Sequence, residues 1–178
     1  MAKVKEIIDF LETDTISATF SSKGLKCLSL KANQGARRID LRLPLEERST
    51  FERLIIRETL NFLETGKHDL PLDLTDFSNF QRNVFEVVSR IEPGKVITYK
   101  GIAGLLGKPG AAQAVGNAIA KNPFSYFLPT HRVLPQRGLG ICRSGAGHLR
   151  EKLLLHEGHD LSKLRGNYIC TRKECCQE

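Results

Sequence analysis

The chain has 178 residues, of which 40% are hydrophobic and 26% are charged. These values are ordinary for a globular protein and exclude a disordered or fibrous chain. The length fits one domain or two small ones. No apolar run approaches the roughly 18 residues that a membrane-spanning helix requires, so no membrane partner is expected.

The net charge of +7 is unevenly distributed. Residues 1–75 carry 12 basic and 12 acidic side chains, whereas residues 76–178 carry 15 basic and 8 acidic ones. From Pro93 to Arg150 there are eight lysines and arginines and no acidic residue. A folded segment with this bias attracts phosphates, and an ordinary solvated surface would contain some interspersed carboxylates. The charge pattern therefore favours a nucleic acid as the partner.

The N-terminus and the cysteines indicate a reducing compartment. The first six residues lack the apolar core and the cleavage site of a secretory signal. Five cysteines, an odd number without framework spacing, predict free thiols in a cytoplasmic, nucleoid or nuclear protein. Cys170, Cys175 and Cys176 lack the CxxC pairing of a zinc site, and for Cys27 and His68 burial is the simpler interpretation. We expect no metal and no other cofactor.

Hydrophobic periodicity predicts an α+β fold with a small N-terminal αβ domain over residues 1–75. Period-two alternation predicts a hairpin, and helical spacing predicts a helix that stops at Gly66. The predicted elements are strands over residues 16–20, 25–30 and 39–43, a helix over 51–63, and an extended linker over 70–74.

The second domain, over residues 76–160, is predicted to be mainly helical, with a C-terminal tail over 161–178. Asp76 or Ser78 can cap a helix that runs to Ile91, a turn follows over 92–95, and Thr98 can cap a short helix over 99–106. Glycine and proline at 107–110 connect it to a helix over 111–121, and a last helix over 148–157 ends at Gly158. Two short helices around a tight turn in a basic region predict a helix-turn-helix.

The second helix of this motif is composed almost entirely of small residues. Its only polar side chains before Lys121 are Gln113 and Asn117, whereas a major-groove helix usually presents several arginines, asparagines and glutamines. The composition favours an approach to the DNA backbone or minor groove, and a tightly packed core helix is an equal alternative.

A possible chemical site lies in the apolar stretch over residues 128–133, which contains His131, and in the Gly-rich loop that follows over 137–147. A single histidine in such a stretch is more often structural than catalytic. The motifs around it make a more specific case. In order and spacing, the chain resembles the O6-alkylguanine-DNA alkyltransferase family at residues 70–74, 80–85, 93–99, 111–118, 121–123, 129–133 and 154–158.

The resemblance implies a mechanism and a set of residues. Members of the family flip an alkylated guanine out of duplex DNA, and a cysteine thiolate accepts the alkyl group in one irreversible turnover. By position, His131 would deprotonate the acceptor through a water, Glu157 would hold His131, and Asn122 would position the segment. The implied DNA contacts are Gln81, Tyr99, Lys100, Lys108, Ala112, Gln113, Ala114 and Gln136. The implied pocket residues are Tyr99, Ile119, Pro129, Cys142, Arg143 and Ser144.

Three positions depart from the family pattern. Thr130 stands where the acceptor cysteine belongs, and a threonine hydroxyl is far less acidic than a thiol. Gln113 replaces the arginine that fills the gap left by the flipped base, and Arg143 replaces a frequent tyrosine. Alkyltransferase-like proteins, which resemble this family, also lack the thiol and bind alkylguanine without repairing it. They usually keep the arginine and lack the N-terminal domain.

The sequence therefore predicts a monomeric protein that binds duplex DNA, with a preference for O6-alkylguanine, and transfers no alkyl group. One alternative is an active transferase that uses another thiol, such as Cys142, although Cys142 is more simply a small buried residue. Another is a helix-turn-helix module without lesion preference. A hydrolase triad of Thr130, His131 and Glu157 is disfavoured because the family frame gives no carbonyl site. A repair-protein partner stays unspecified.

Overall fold

The computed structural model describes residues 15–31, 38–41, 45–136 and 147–165. The chain forms two compact units. Unit 1 comprises Met1–Asp76 and Pro123–Phe127, and unit 2 comprises Phe77–Asn122 and Leu128–Glu178. The described elements combine a small sheet and helices, so the α+β class is confirmed. The domain limits at residues 75 and 160 stay predictions.

Unit 1 is built on a three-stranded sheet. Strands β1 (Thr15–Ser21) and β2 (Gly24–Lys31) are antiparallel and form the predicted hairpin, with a register shift after Thr19. Strand β3 (Arg38–Leu41) pairs with β1 in parallel. The alternation places Ile16 and Ala18 in the core, as the period of two requires.

Residues 70–74 are extended, but their interpretation as a linker is wrong. Leu25 N donates to Pro71 O at 2.8 Å, and Asp73 N donates to Leu25 O at 2.8 Å. Because Gly24 has no side chain, the hairpin turn can approach this segment; a Cβ at Gly24 would lie 2.2 Å from Pro71 O. The segment therefore forms hydrogen bonds with the backbone of the edge strand β2. The proline within the segment did not suggest such pairing.

The Asp73 carboxylate ties this segment to the hairpin. It accepts hydrogen bonds of 2.5 Å from the Ser21 and Thr75 hydroxyls and one of 2.9 Å from Thr75 N. These bonds, first that from Ser21, lower the pKa of Asp73 well below its usual value.

Helix α1 (Leu45–Thr65) begins six residues before the predicted start and ends before Gly66, whose φ is +69°. Its buried side faces the segment Pro123–Phe127, which has a 3₁₀ turn over Ser125–Phe127. Thr59 Oγ1 and Tyr126 Oη lie 2.8 Å apart, and Leu28 N donates to Pro123 O at 2.7 Å. The chain thus returns to unit 1 just before the predicted site, a long-range pairing that local sequence patterns cannot predict.

Unit 2 begins with helix α2 (Asn79–Ser89), which buries Val84, Phe85 and Val88. Of the two predicted caps, Ser78 is the one used. Its hydroxyl accepts from Gln81 N at 3.3 Å and the Gln81 side chain accepts from Ser78 N at 3.1 Å, forming a capping box.

Helices α3 (Tyr99–Leu105) and α4 (Ala112–Ala120) follow a two-residue strand, β4 (Ile97–Thr98), which pairs in parallel with β5 (Val133–Leu134). Thr98 caps α3 as predicted, accepting from Gly101 N at 2.9 Å. Both helices are confirmed, each slightly shorter than predicted. Strand β5 lies at the end of the predicted site segment, and its pairing with β4 positions the backbone there.

The last helices are α5 (Gly147–His156) and α6 (Leu161–Arg165). Gly158 has a φ of +84°, consistent with the predicted left-handed cap. Helix α6 was not predicted and lies in the segment interpreted as a tail. Its Leu164 packs in a core cluster with Leu134 and Leu154, so the first residues of that segment belong to the fold. Among the helices that the structure describes, none combines the length and the apolar character of a membrane span.

Candidate functional site

The candidate site begins at a single 3₁₀ turn over Thr130–Arg132, which follows buried Pro129 and leads into β5. Thr130 N donates to Leu128 O at 2.6 Å, and Arg132 N donates to Pro129 O at 3.1 Å. Thr130 is half-buried, whereas His131 and Arg132 are 5% and 1% exposed. The turn therefore places a hydroxyl and an imidazole next to each other along the chain, one partly accessible and the other buried.

His131 is held by Glu157, as the resemblance implied. His131 Nε2 and Glu157 Oε1 lie 2.8 Å apart, and both side chains are almost completely buried. Burial, which outweighs the attraction of the carboxylate, lowers the pKa of His131 below its usual value. The imidazole is therefore neutral at physiological pH. With Nε2–H donating to the carboxylate, Nδ1 is the basic nitrogen.

Arg132 provides a second, unpredicted connection to Glu157. Its Nη2 donates to Glu157 Oε1 at 2.7 Å, and its Nε lies 3.0 and 3.1 Å from the two carboxylate oxygens. Nη1 donates to Ile91 O at 2.5 Å, and Gly94 N donates to Glu157 Oε2 at 3.3 Å. A fully buried guanidinium is tolerated because these acceptors satisfy it.

The same contacts keep Glu157 ionised. Burial favours the protonated carboxyl, but the hydrogen bonds from His131 and Arg132, together with the Arg132 charge, lower the pKa of Glu157 to about 2. Since Arg132 is permanently charged, its stabilisation of the ionised carboxylate persists while His131 is neutral. A neutral histidine oriented by an ionised carboxylate is the arrangement of a general base.

A second group of residues lies on the exposed surface formed by α3 and α4. Lys100 on α3, Lys108 in the connecting turn and Lys121 after α4 are all exposed. The Lys108 ammonium lies 5.4 Å from the centre of the Phe80 ring, a distance at which a cation–π contact forms. These charges lie within the acid-free segment, so carboxylates of that segment do not neutralise them.

Helix α4 buries Val115 and Ala118 and exposes Gln113, Ala114 and Asn117. Core packing is therefore realised on one face of the helix, and an approach of the exposed face to DNA stays a prediction. Gln113 Nε2 donates to Asn117 Oδ1 at 3.2 Å.

Comparison with known proteins identifies the family. Residues 79–159 match the model described as the DNA binding domain of 6-O-methylguanine DNA methyltransferase. The methylated-DNA–protein-cysteine methyltransferase of Thermococcus barophilus is 31% identical over 137 residues, which cover 74% of this chain and 77% of that protein. The chain belongs to the methylated-DNA–protein-cysteine methyltransferase family.

Other members of the methyltransferase family are similar over shorter stretches. The protein of that name from Salmonella typhimurium is 42% identical over 80 residues, 45% of this chain. The alignment spans 47% of the Salmonella protein, about half its length. The crystal structure of Mycobacterium tuberculosis O6-methylguanine methyltransferase has the same fold, with a TM-score of 0.57 and 24% identity over 80% of this chain and 92% of that one.

Of the site residues that the family resemblance implied, the structure brings His131 and Glu157 together, and the roles of the others stay predictions. Tyr99 begins α3, and its ring lies 3.9 Å from where a Cβ at Gly116 would be. Asn122 follows α4 and donates its N–H to Ile119 O at 3.0 Å. The remaining predicted residues that are described are half-buried Gln81, Ala112 and Ile119, and exposed Gln136. Cys142, Arg143 and Ser144 lie outside the described residues.

Arg132 is a residue of the site for which the sequence predicted no role. The available signal was a charged side chain inside the apolar stretch 128–133. An arginine that is buried in such a stretch requires a charged partner, so a buried ion pair could have been predicted. Its partner, 25 residues away, could not be found from spacing alone. In the part of the chain that the structure describes, no group of three or more histidine, cysteine or acidic residues could hold a metal ion.

Proposed function

We propose that this protein binds duplex DNA, with preference for O6-alkylguanine, and does not transfer the alkyl group. The single observation that carries the proposal is a threonine, at the position where the resemblance places the acceptor, beside a histidine that pairs with a buried carboxylate. Thr130 directly precedes His131, whose Nε2 is 2.8 Å from Glu157 Oε1. The base and its orienting carboxylate are present, whereas the sulfur is replaced by a hydroxyl.

Chemistry supports the loss of transfer. A thiol with a pKa near 8.5 is readily ionised by a neighbouring neutral histidine, and its thiolate is a strong nucleophile toward carbon. A threonine hydroxyl is many orders of magnitude less acidic, and the neutral imidazole of His131 is too weak a base to ionise it. In this proposal His131, Glu157 and Arg132 maintain the shape of the lesion pocket instead of driving a reaction.

The charge distribution supports DNA binding. Exposed Lys100, Lys108 and Lys121 can neutralise phosphates, and α3 and α4 would act as a helix-turn-helix. The protein would then act as a monomer in the compartment that contains the DNA. It would reach the lesion by flipping one base out of the stack.

Three measurements test the proposal. The protein is titrated with matched duplexes that contain guanine or O6-methylguanine at one position, at the same salt concentration, and intact mass is measured after incubation with the methylated duplex. We expect tighter binding of the methylated duplex and no added methyl group. Thr130→Cys should acquire one methyl group per protein molecule.

The possible outcomes separate the alternatives. A methyl group on the unaltered protein, which peptide mapping would locate, would replace the proposal by a transferase that uses another residue. Equal affinity for the two duplexes would instead favour a DNA-binding module without lesion preference.

A further inference from the structure

The exposed face of α4 carries a pair of amide side chains, Gln113 and Asn117. Gln113, Ala114 and Asn117 are exposed on this helix, and its opposite face buries Val115 and Ala118. The alanine between the two amides would let a DNA groove approach the helix backbone closely. Gln113 and Asn117 are therefore the side chains of α4 best placed to contact a base.

The pair has a defined internal order. Gln113 Nε2 donates to Asn117 Oδ1 at 3.2 Å, one helical turn away. An exposed pair of this kind stabilises a helix by only about 0.2–0.5 kcal/mol, too little for stability to explain it. The hydrogen bond engages one end of the Gln113 amide and restricts its rotation. Gln113 Oε1 and Asn117 Nδ2 retain their capacity to bond elsewhere.

Neither side chain is charged, so the pair cannot bind DNA by neutralising phosphates. Neighbouring lysines at positions 100, 108 and 121 can neutralise the phosphates instead. Neutral amides are suited to base edges instead, where a donor and an acceptor lie side by side. In a duplex from which one guanine has been extruded, the base left opposite has an unpaired edge and offers such a pattern.

We infer that Gln113 and Asn117 form one base-contacting unit in which Asn117 orients Gln113, so that the protein distinguishes an amino from a keto pyrimidine opposite the altered guanine. This inference rests on the proposed function. The unpaired edge of cytosine presents a donor followed by an acceptor, and that of thymine presents the reverse. An amide free to rotate by half a turn pairs with either base, whereas an amide held by Asn117 matches only one of them.

The test measures affinity for duplexes that carry O6-methylguanine opposite cytosine or thymine. The unaltered protein should distinguish the two by about five- to tenfold, the value of roughly one good hydrogen bond. Asn117→Ala should bring the ratio close to one, without changing the dependence of affinity on salt. In a Gln113→Ala background, Asn117→Ala should have no further effect on the ratio, which a purely structural role of Asn117 would not explain.

Loss of folding is not expected to obscure the result, because alanine has a higher helix propensity than asparagine. Asn61→Ala makes the same chemical change on α1 of unit 1 and should leave the ratio unchanged. A ratio of one for the unaltered protein, or a ratio that survives Asn117→Ala, would overturn the inference.

A second set of duplexes separates this inference from the proposed function. It places a stable abasic analogue opposite cytosine or thymine, so an unpaired pyrimidine is present without any alkylguanine. If methylated and ordinary duplexes bind equally, the proposed function fails, and the abasic duplexes still test the amide pair. If methylated duplexes bind more tightly but the pyrimidines are not distinguished, only the inference fails.

Discussion

The buried carboxylate of Glu157 is the most consequential group in unit 2, and Glu157→Gln tests its role. The amide keeps the size of the side chain but removes its charge. Arg132, 1% exposed, would lose its charged partner Glu157, and the new amide would direct N–H groups toward donors now bonded to the carboxylate. Breaking a buried ion pair in this way leaves an uncompensated charge.

The expected cost of Glu157→Gln follows from the loss of this buried ion pair. Removal of one partner from a buried pair typically costs about 3–5 kcal/mol. The lowered pKa of Glu157 reflects the same contacts: a fall from the usual 4.5 to about 2 corresponds to about 3 kcal/mol at neutral pH, since each tenfold change in proton affinity is worth about 1.4 kcal/mol. For a chain of this size, 1 kcal/mol lowers Tm by roughly 2–4 °C, so the variant should melt about 6–20 °C lower.

The assay is urea unfolding at several pH values, followed by circular dichroism. Because the pKa of Glu157 is lower in the folded protein, its contribution is complete above about pH 5 and is lost as the pH falls toward 2. The difference between the two proteins should therefore shrink in acid. Glu86→Gln, which removes an exposed ion pair with Arg90, is the control and should cost less than about 1 kcal/mol.

A cost for Glu157→Gln below about 1 kcal/mol at neutral pH would refute the reasoning, as would a difference that does not vary with pH. In the first case Arg132 would have acquired other acceptors or water. In the second, the ionised carboxylate would not be the source of the stability.

Three further predictions concern other parts of the chain. Asp73→Asn should destabilise unit 1 by about 1–3 kcal/mol by removing a carboxylate that three donors use, whereas Asp76→Asn, in an exposed ion pair, should cost under about 1 kcal/mol; urea unfolding at neutral pH distinguishes them. Lys108→Ala should reduce the slope of log affinity for duplex DNA against log salt by about 0.9, and an unchanged slope would remove Lys108 from the phosphate contacts. Gly101→Ala should lower Tm, because its Cβ would lie 2.8 Å from Ile97 Cγ1; an unchanged Tm would mean that the Ile97 side chain moves aside without cost.

Much of the local structure could be predicted because its causes are local. The alternation in β1 and β2, the Thr98 cap of α3 and the Gly158 end of α5 each depend on residues close together in sequence. The predicted linker over residues 70–74 failed for the opposite reason. Its extended backbone was correctly inferred, but whether it pairs with a strand depends on the hairpin turn almost 50 residues earlier.

The amino-acid sequence alone determined which chemical groups the candidate site contains: a hydroxyl at position 130, a histidine beside it, and a surrounding segment without carboxylates. Only the tertiary structure decided that Glu157 lies 2.8 Å from His131 and that Arg132 bonds the same carboxylate. The physical reason is that protonation state depends on burial and on partners distant in the chain. Residue types fix which reactions are available, and packing fixes which charges can be maintained.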